Sequence, residues 1–133
     1  MKSTRPKLSF GLPVYNAEDT IGRAVESILA QTFTDLELVI SDNASTDRTA
    51  EICCDWARQD ARVRLFRNDL NIGLLPNFDR VFELAHGEYF RWIGSDDWLE
   101  PEYASACVPV LDSNPDAIAV STYQENWENE IRD

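Results

Sequence analysis

The stretch "LELVISDNASTDRTAEICCDWARQ", residues 36–59, contains a strand pattern, a polar loop and a helix pattern in direct succession. Its first six residues are rich in Leu, Val and Ile, which favours a buried strand. The next residues are polar and include types that commonly cap helices. From residue 45 onward, apolar side chains recur at helical spacing, which predicts a helix over residues 45–59. Its stripe consists of Ala50, Cys53, Cys54 and Ala57.

The same strand-then-helix order continues in both directions along the chain. Strands are predicted at residues 7–16, 36–41, 62–68, 88–94 and 117–123, and helices at 17–32, 45–59, 76–87 and 101–114. We expect acids in the first turn of the first helix, and we expect Gly87 to stop the third. Strict alternation predicts an α/β fold with a mostly parallel open sheet flanked by helices. All 133 residues, 1–133, are expected to form a single domain.

Composition narrows the classes of partner. The chain is 44% apolar and 27% charged, as is ordinary for a globular protein, but its formal net charge is −12. A surface this acidic repels phosphate backbones, so we expect no nucleic-acid partner, and a small phosphorylated ligand would need a metal ion to mediate. An odd count of three cysteines indicates neither a disulfide framework nor a zinc site.

Location is predicted from what the sequence lacks. No run approaches the roughly 18 apolar residues that would span a bilayer, and the N-terminus lacks the apolar core of a secretory signal. We therefore expect the chain in the cytoplasm or on the cytoplasmic face of a membrane.

Polar clusters follow four of the predicted strands. They read "PVYN", "SDNASTD", "RNDLNIG" and "GSDD" in chain order. Ligands of open α/β sheets bind outside the carboxyl ends of the strands. Because parallel strands end at the same edge, these clusters are expected to lie together and form a ligand site.

Asp96 and Asp97 are adjacent carboxylates at one of these strand ends. Two like charges about 4 Å apart repel by about 1 kcal/mol in water and about 4 kcal/mol at an effective dielectric of 20. They need either open solvent, as in a turn that caps a helix, or a cation. Divalent cations such as Mg²⁺ often use one or two carboxylates together with substrate phosphates. A metal between Asp97 and a diphosphate would relieve the repulsion and stabilise charge on a departing diphosphate.

Other strand-end residues have less specific interpretations. Asp42 is placed to accept hydrogen bonds from a ribose or a base, or to serve as a turn residue. Neither GxGxxG nor GxxxxGK[ST] occurs, so a nucleotide must be bound by other means. Arg67 and Asn71 either reach a ligand or belong to an exposed loop. His86 is interpreted as a solvated residue at a helix end, and Trp98 as a packing residue or one that lines a pocket mouth.

Three motifs spaced along the chain together resemble those of family 2 glycosyltransferases of the GT-A fold. They are "LPVYN", "ILAQTFTDLELVISDNASTDRTAEI" and "NIGLLPNFDRVFELAHGEYFRWIGSDDWLEP". The resemblance runs in register from about Leu8 to Pro101. It implies a UDP-, dTDP- or GDP-sugar donor, a divalent metal (Mn²⁺ or Mg²⁺), and inverting transfer to a hydroxyl of a glycan or lipid-linked acceptor.

The resemblance also implies roles for particular residues. Pro13 and Tyr15 match the first-strand motif, whose loop lies against the nucleoside. Asp42 matches the first acid of the usual "DDGSTD", which contacts the base or ribose. Asp97 is assigned to the metal and diphosphate, and Asp96 to the ribose or metal. Independently of the resemblance, its place at the third strand end makes Asn71 a further nucleotide-binding candidate.

The sequence departs from the family pattern at several points. Asn43 and Ala44 stand where Asp and Gly are common, which implies altered base recognition. Gly94 stands where the leading acid of the "DxDD"-like metal motif is frequent, which leaves fewer metal ligands. The family's general base and acceptor-binding half are expected beyond the last residue. We therefore expect a donor-binding portion that has no catalytic residue of its own, binds nucleotide weakly and transfers nothing alone.

Other functions stay open at this point. A non-catalytic nucleotide-sugar-binding or interaction module would keep the same fold. A nucleotidyltransferase would need a glycine-rich, basic loop where "GLPVYNAED" is acidic, and a receiver-type phosphoacceptor would place its acid pair after the first strand. We also expect an unpaired sheet edge after residues 117–123 to promote self-association.

Overall fold

A computed structural model describes residues 5–121. Within this range, four strands and four helices alternate. They are β1 (Leu8–Val14), α1 (Ile21–Leu29), β2 (Leu36–Asp42), α2 (Thr49–Gln59), β3 (Val63–Arg67), α3 (Leu74–Leu84), β4 (Tyr89–Trp92) and α4 (Tyr103–Ser113). The strands form one parallel sheet in the order β3-β2-β1-β4. The predicted parallel sheet flanked by helices is confirmed.

The core lies on both faces of the two central strands. Every residue of β1 and β2 is buried, because a parallel sheet of this kind carries helices on both faces. The apolar stripe of α1 is fully buried, and each of its Ile and Val side chains contributes about 1.5–3 kcal/mol relative to an exposed one. The stripe consists of Ile21, Ala24, Val25 and Ile28.

Pro13 is tolerated in a central strand because β4 is short. Strand β1 pairs with β2 over its whole length, but with β4 only from Leu8 to Gly11. The Gly11 carbonyl accepts a hydrogen bond from Ile93 N (2.9 Å), so Gly11 and Pro13, two residues on, both face the β4 side. At Pro13 that side has no strand partner, so the missing N–H costs no hydrogen bond in the sheet.

Several predicted helix boundaries are wrong; helix α2, for example, begins at Thr49 and not at residue 45. Helix α1 begins at Ile21 and has no acid in its first turn, because Glu18 and Asp19 belong to the preceding loop. Helix α3 ends at Leu84, three residues before Gly87. The chain is already extended at Ala85, because the next backbone N–H, that of His86, donates to Glu37 Oε1 (2.6 Å) and not to a helix carbonyl.

The fifth strand is not formed in the part of it that the structure describes. Residues 117–121 have no strand partner, and residues 122–123 lie outside the described residues. Ile118, which was expected inside the sheet, is almost completely exposed. The apolar run had predicted a strand, but in the described part of the chain no partner strand satisfies its backbone. The single-domain prediction for residues 1–133 stays a prediction.

One buried carboxylate joins the sheet to the α3–β4 connection. Glu37 Oε1 accepts hydrogen bonds from Ser9 Oγ (2.7 Å) and His86 N, and Glu37 Oε2 pairs with Arg64 (3.1 Å). Burial alone would raise the pKa of the Glu37 carboxyl, but the bonds from His86 and Ser9 and the charge of Arg64 hold it below its usual value. Within residues 5–121, no helix is both long and apolar enough to cross a bilayer.

Candidate functional site

The carboxyl ends of the four strands lie in a row along one edge of the sheet. The strand order places Asn71 after β3 at one end, the loop after β2 next, then Tyr15 after β1, and Asp96 after β4. Neighbouring strands lie about 4.8 Å apart, so the row from β3 to β4 spans roughly 14 Å. That breadth is comparable to an extended nucleoside diphosphate.

An open cleft of about 400 Å³ lies at this edge, between the loops that follow β1, β2 and β4. Its lining includes the half-exposed ring of Tyr15 and four carboxylates, and no described residue that lines it is Lys or Arg. The four carboxylates belong to Glu18, Asp19, Asp47 and Asp96. A cleft with this charge repels an anionic ligand unless a cation accompanies it.

The loops after β1 and β2, residues 15–20 and 43–49, bind one another through several hydrogen bonds, five of which are donated by backbone N–H groups; we call these two segments the paired loops. The donors are Asn16 N to Ser45 Oγ (2.9 Å), Thr46 N to Asn16 Oδ1 (2.8 Å), Ala17 N to Thr49 Oγ1 (2.8 Å), Glu18 N to Asp47 Oδ2 (3.2 Å) and Arg48 N to Glu18 Oε2 (3.1 Å). These bonds fix the cleft wall.

Hydrogen bonds also account for the ionised state of Asp47 in that wall. Desolvation acts to raise the pKa of Asp47, but hydrogen bonds from Thr49 and from Glu18 N hold it below its usual value. Asp47 therefore stays ionised and keeps the wall negative at neutral pH.

Asp42 lies beneath the paired loops and is completely buried. Its carboxylate accepts hydrogen bonds from the hydroxyl and the backbone N–H (3.1 Å) of Ser45, and it pairs with Arg67 Nε (3.4 Å). Arg67 also donates to Ser45 O (3.0 Å). Both residues therefore shape the loop after β2 in this structure, and the ribose or base contact of Asp42 stays a prediction.

Asn43 uses its whole carboxamide to bind the loop after β3. Its Oδ1 accepts from Ile72 N (2.9 Å) and Asn68 Nδ2 (3.0 Å), and its Nδ2 donates to Asn71 Oδ1 (2.9 Å) and Gly73 O (3.1 Å). An aspartate could accept the first two bonds but could not donate the last two. This departure from the family pattern therefore has a structural role.

Asp96 and Asp97 converge on Gly94 in the loop after β4. A Cβ placed on Gly94 would lie 2.7 Å from Asp97 Oδ2 and 3.1 Å from Asp96 Oδ1, so the two carboxylates fill the space that a side chain at 94 would take. The turn is closed by Asp97 N, which donates to Gly94 O (3.1 Å). Both aspartates are exposed, so solvent relieves their repulsion here.

The donor set at this turn fits a hard divalent cation. Mn²⁺ and Mg²⁺ take oxygen ligands and commonly use one or two carboxylates beside ligand phosphates. Across residues 5–121, no three His, Cys, Asp or Glu side chains are grouped so that they could hold a metal ion. Asp96 and Asp97 could therefore supply two carboxylates, and phosphate oxygens would have to complete the coordination.

Helix α1 fixes the loop of residues 94–101, which we call the acidic loop. Trp98 packs under the guanidinium of Arg23 (4.4 Å to the ring centre), which confirms the packing interpretation of this tryptophan. The Gln31 side chain makes the main anchor, since its Nε2 donates to Glu100 O (2.7 Å) and its Oε1 accepts from Ala104 N (2.9 Å). Gln31 is buried two residues beyond the end of α1, so α1 and the residues just after it together set the position of the metal candidates.

The structure brings together most of the predicted site residues. Tyr15 and Asp96 line the cleft, Asp97 lies beside it, and Pro13 lies buried beneath it. His86 is exposed near Arg5, away from this edge, as expected for a solvated residue. Sequence reasoning missed Gln31, because a glutamine just after a helix carries no local signal of a contact 69 residues away.

Comparison with known proteins agrees with this geometry. The sequence model described as "Glycosyl transferase family 2" matches residues 9–132. The chain is 31% identical to the glycosyltransferase GlyA of Streptococcus pneumoniae over 93% of its length, and 35% identical to the chondroitin synthase of Escherichia coli over 94%. It spans only 18% of the length of either relative.

Solved structures show the same fold. The structure of Staphylococcus aureus TarS 1-349 in complex with UDP-GlcNAc superposes with a TM-score of 0.77 at 25% identity, covering 82% of this chain and 32% of that one. The mannosyltransferase PcManGT from Pyrobaculum calidifontis, in complex with GDP-Man and Mn²⁺, gives 0.72 at 24% identity and covers 82% of this chain and 33% of that one. The predicted GT-A fold is confirmed, and the chain belongs to glycosyl transferase family 2.

Proposed function

We propose that this chain is the donor-binding part of an inverting, metal-dependent glycosyltransferase. It would bind a UDP-, dTDP- or GDP-sugar for transfer to a hydroxyl of a glycan or lipid-linked acceptor. The observation that carries the proposal is the convergence of Asp96 and Asp97 over Gly94 beside an acidic cleft, in a chain of net charge −12. A diphosphate can approach such a site only if a cation neutralises it.

Each site residue has a role under this proposal. Asp97 and Asp96 would hold Mn²⁺ or Mg²⁺, which when bound stabilises negative charge on a departing diphosphate. Tyr15 would flank the nucleoside, and Pro13 would keep the backbone beneath it rigid. Asp42 would set the loop that receives the ribose, and it is already oriented for this by Ser45 and Arg67.

Relatives support the class of donor. TarS, which shares 25% of aligned residues with this chain, has been solved in complex with UDP-GlcNAc. The likeness to PcManGT supports the fold alone. The metal therefore rests on the two carboxylates at Gly94 and on the charge of the cleft, and not on that neighbour.

We also propose that the chain alone binds nucleotide weakly and transfers no sugar. None of residues 5–121 is assigned as a base for the acceptor hydroxyl, which would have to lie about 2.6–3.2 Å from it. Turnover by the purified chain would contradict this part of the proposal.

We further propose that the chain self-associates through an edge of its sheet. Strand β4 lies at an edge of the described sheet, and next to it are the exposed rings of Phe82 and Trp92, stacked 5.7 Å apart. An edge strand beside exposed aromatic surface favours association. Sedimentation at increasing concentration checks it, and a constant monomer mass would contradict it.

A cytoplasmic location also stays a proposal. Its support is that Cys53, Cys54 and Cys107 are all free thiols, which is usual in a reducing compartment.

Calorimetric titration tests the donor and metal site. UDP, GDP and dTDP, each with and without Mn²⁺, are titrated into the chain, into Asp97→Ala and into Asp116→Ala. Asp116 is exposed beyond the end of α4, so this control removes the same charge outside the acidic loop. We expect Mn²⁺-dependent binding in the chain and the control, weakened at least about tenfold in Asp97→Ala. Metal-independent binding that Asp97→Ala leaves unchanged would remove Asp97 from the metal role.

A further inference from the structure

The orientation of the Asn71 carboxamide is fixed by groups whose hydrogen-bonding character is certain. Its Oδ1 accepts from Gly73 N (2.8 Å), and a backbone N–H can only donate, so the atom that meets it must be the carbonyl oxygen. The same oxygen accepts from Asn43 Nδ2 (2.9 Å). The orientation of Asn43 is fixed in turn, because its Oδ1 meets Ile72 N.

The amino group of Asn71 therefore points away from these contacts. Asn71 is exposed, and its Nδ2 donates to no residue between 5 and 121. It lies at the β3 end of the row of strand ends, whereas the metal candidates lie at the β4 end. A nucleotide whose diphosphate meets Asp97 and whose ribose lies over β1 and β2 would extend its base toward β3.

We infer that Asn71 is a specificity-determining donor that selects bases with a ring carbonyl at the recognised position. This inference rests on the function proposed above. Uracil and thymine carry O4 and guanine carries O6 there, which are acceptors, whereas cytosine and adenine carry amino groups, which are donors. A fixed amino group on the protein donates a hydrogen bond to a base carbonyl. It cannot bond to a base amino group, because two donors then face each other.

Asn43 is a positioning residue in this arrangement. It contributes by holding Asn71 Oδ1, so the donor of Asn71 does not rotate and an amino base cannot be accommodated by turning the carboxamide over. The side-chain rigidity makes the discrimination possible, since a free carboxamide can present either its oxygen or its nitrogen. The replacement of the family's common acid by Asn43 thus affects base recognition through a neighbour.

The test compares four nucleotides on the full chain. UDP, CDP, GDP and ADP are titrated calorimetrically in the presence of Mn²⁺, on the chain, on Asn71→Asp and on Gln59→Glu. Asn71→Asp keeps an oxygen toward Asn43 and Gly73 but replaces the outward donor by an acceptor. Gln59→Glu makes the same chemical change at the exposed end of α2, at the opposite edge of the sheet.

We expect UDP and GDP to bind about tenfold more tightly than CDP and ADP, both to the chain and to Gln59→Glu. This is the difference expected when one hydrogen bond forms with UDP and GDP and is prevented with CDP and ADP. Asn71→Asp should lose that preference. If it does not fold, Asn71→Ala serves, and should bind all four nucleotides alike. Independently, the ¹⁵N-labelled side-chain amino signal of Asn71 should shift with UDP and stay unshifted with CDP.

The outcomes separate the two proposals. Equal binding of all four nucleotides, or an unshifted Asn71 signal with UDP bound, would overturn the inference and leave the proposed function standing. Failure of all four to bind would overturn the proposed function and this inference with it.

Discussion

Ala44 adopts a backbone conformation that disfavours an L-residue. Its φ is 61°, in the left-handed region, and it lies in the loop where glycine is common among the sequences that this chain resembles. Left-handed backbone costs a residue with a Cβ about 1–2 kcal/mol, and glycine avoids the cost. Asn16, the other non-glycine residue with positive φ between residues 5 and 121, belongs to a type that tolerates it.

Ala44→Gly should therefore stabilise the chain. The relief of left-handed strain exceeds the greater freedom that glycine gives the unfolded state, about 0.4–1 kcal/mol, so we expect a net gain of about 0.5–1 kcal/mol. Urea denaturation measures the free energy of unfolding.

The control is Ala106→Gly in the exposed interior of α4, where the same change should cost about 1 kcal/mol. If both variants lose stability equally, the strain at Ala44 is not real.

Residue-level roles were partly accessible from sequence. Asp96 and Asp97 could be found because adjacent like charges at a strand end are unusual enough to need a reason. The burial of Asp42 could not be predicted, because it depends on contacts with Ser45 and Arg67. A strand-end aspartate has the same sequence pattern whether it faces solvent or its own loop. The Asn43 bonds to residues 68–73 were hidden by their separation along the chain.

At the scale of elements, α1 supports the candidate metal loop from behind. Ser27 Oγ in α1 accepts from Leu99 N (3.1 Å), and Gln31, just after α1, binds Glu100 O and Ala104 N. The acidic loop and the start of α4 are therefore attached to α1 and the turn that follows it. The site thus depends on a surface that contains none of its ligands.

Gln31→Ala should loosen the acidic loop and lower stability. The change leaves the buried Ala104 N–H without a partner, which costs about 1–3 kcal/mol unless water reaches it. It also removes one of the two hydrogen bonds that Glu100 O accepts, the other being from Tyr103 N. We expect unfolding free energy to fall by about 2–3 kcal/mol, and Mn²⁺-dependent nucleotide binding to weaken although Gln31 touches no ligand.

Gln59→Ala, at the exposed end of α2, should change neither quantity. Full Mn²⁺-dependent affinity in a destabilised Gln31→Ala would show that α1 does not position the metal loop.

Helix and strand identities were predictable, whereas their ends were not. Apolar periodicity identified all eight described elements, although the two outer strands are only partly buried. The helix ends were predicted wrongly where a side chain from another part of the chain accepts a hydrogen bond from a backbone N–H near the helix end. Glu37 draws His86 N out of α3, and the paired loops hold Glu18 and Asp19 out of α1. The strand prediction was wrong at residues 117–121 for a different reason, because a strand needs a neighbouring strand as well as an apolar pattern.

For the whole molecule, we expect the free energy of unfolding to fall at low pH because a buried carboxylate, that of Glu37, becomes protonated. Glu37 has a folded pKa below its unfolded value, so its contribution is fully present above that unfolded value, near 4.5. It is lost as pH falls through the lower, folded pKa. The net negative charge of the chain also declines over this range.

Glu37→Gln should destabilise the chain at pH 7 and much less at pH 3. The amide keeps one acceptor but turns a donor toward Ser9, His86 N or Arg64, which costs about 1–3 kcal/mol at neutral pH. Urea denaturation at both pH values measures the difference. Glu26→Gln, on the exposed face of α1, is the matched control. A deficit that is equal at pH 7 and pH 3 would contradict the assignment of the shifted pKa to this site.

The paired loops have a consequence for inheritance and for engineering. Their cross-bonds use side chains from both segments, although a helix and a strand separate the two loops along the chain. A recombination crossover inside α1 or β2 would bring together halves from two parents whose donors and acceptors were never matched. Chimeras between relatives should therefore retain a working cleft only when both segments come from the same parent, so the two loops form a single heritable unit.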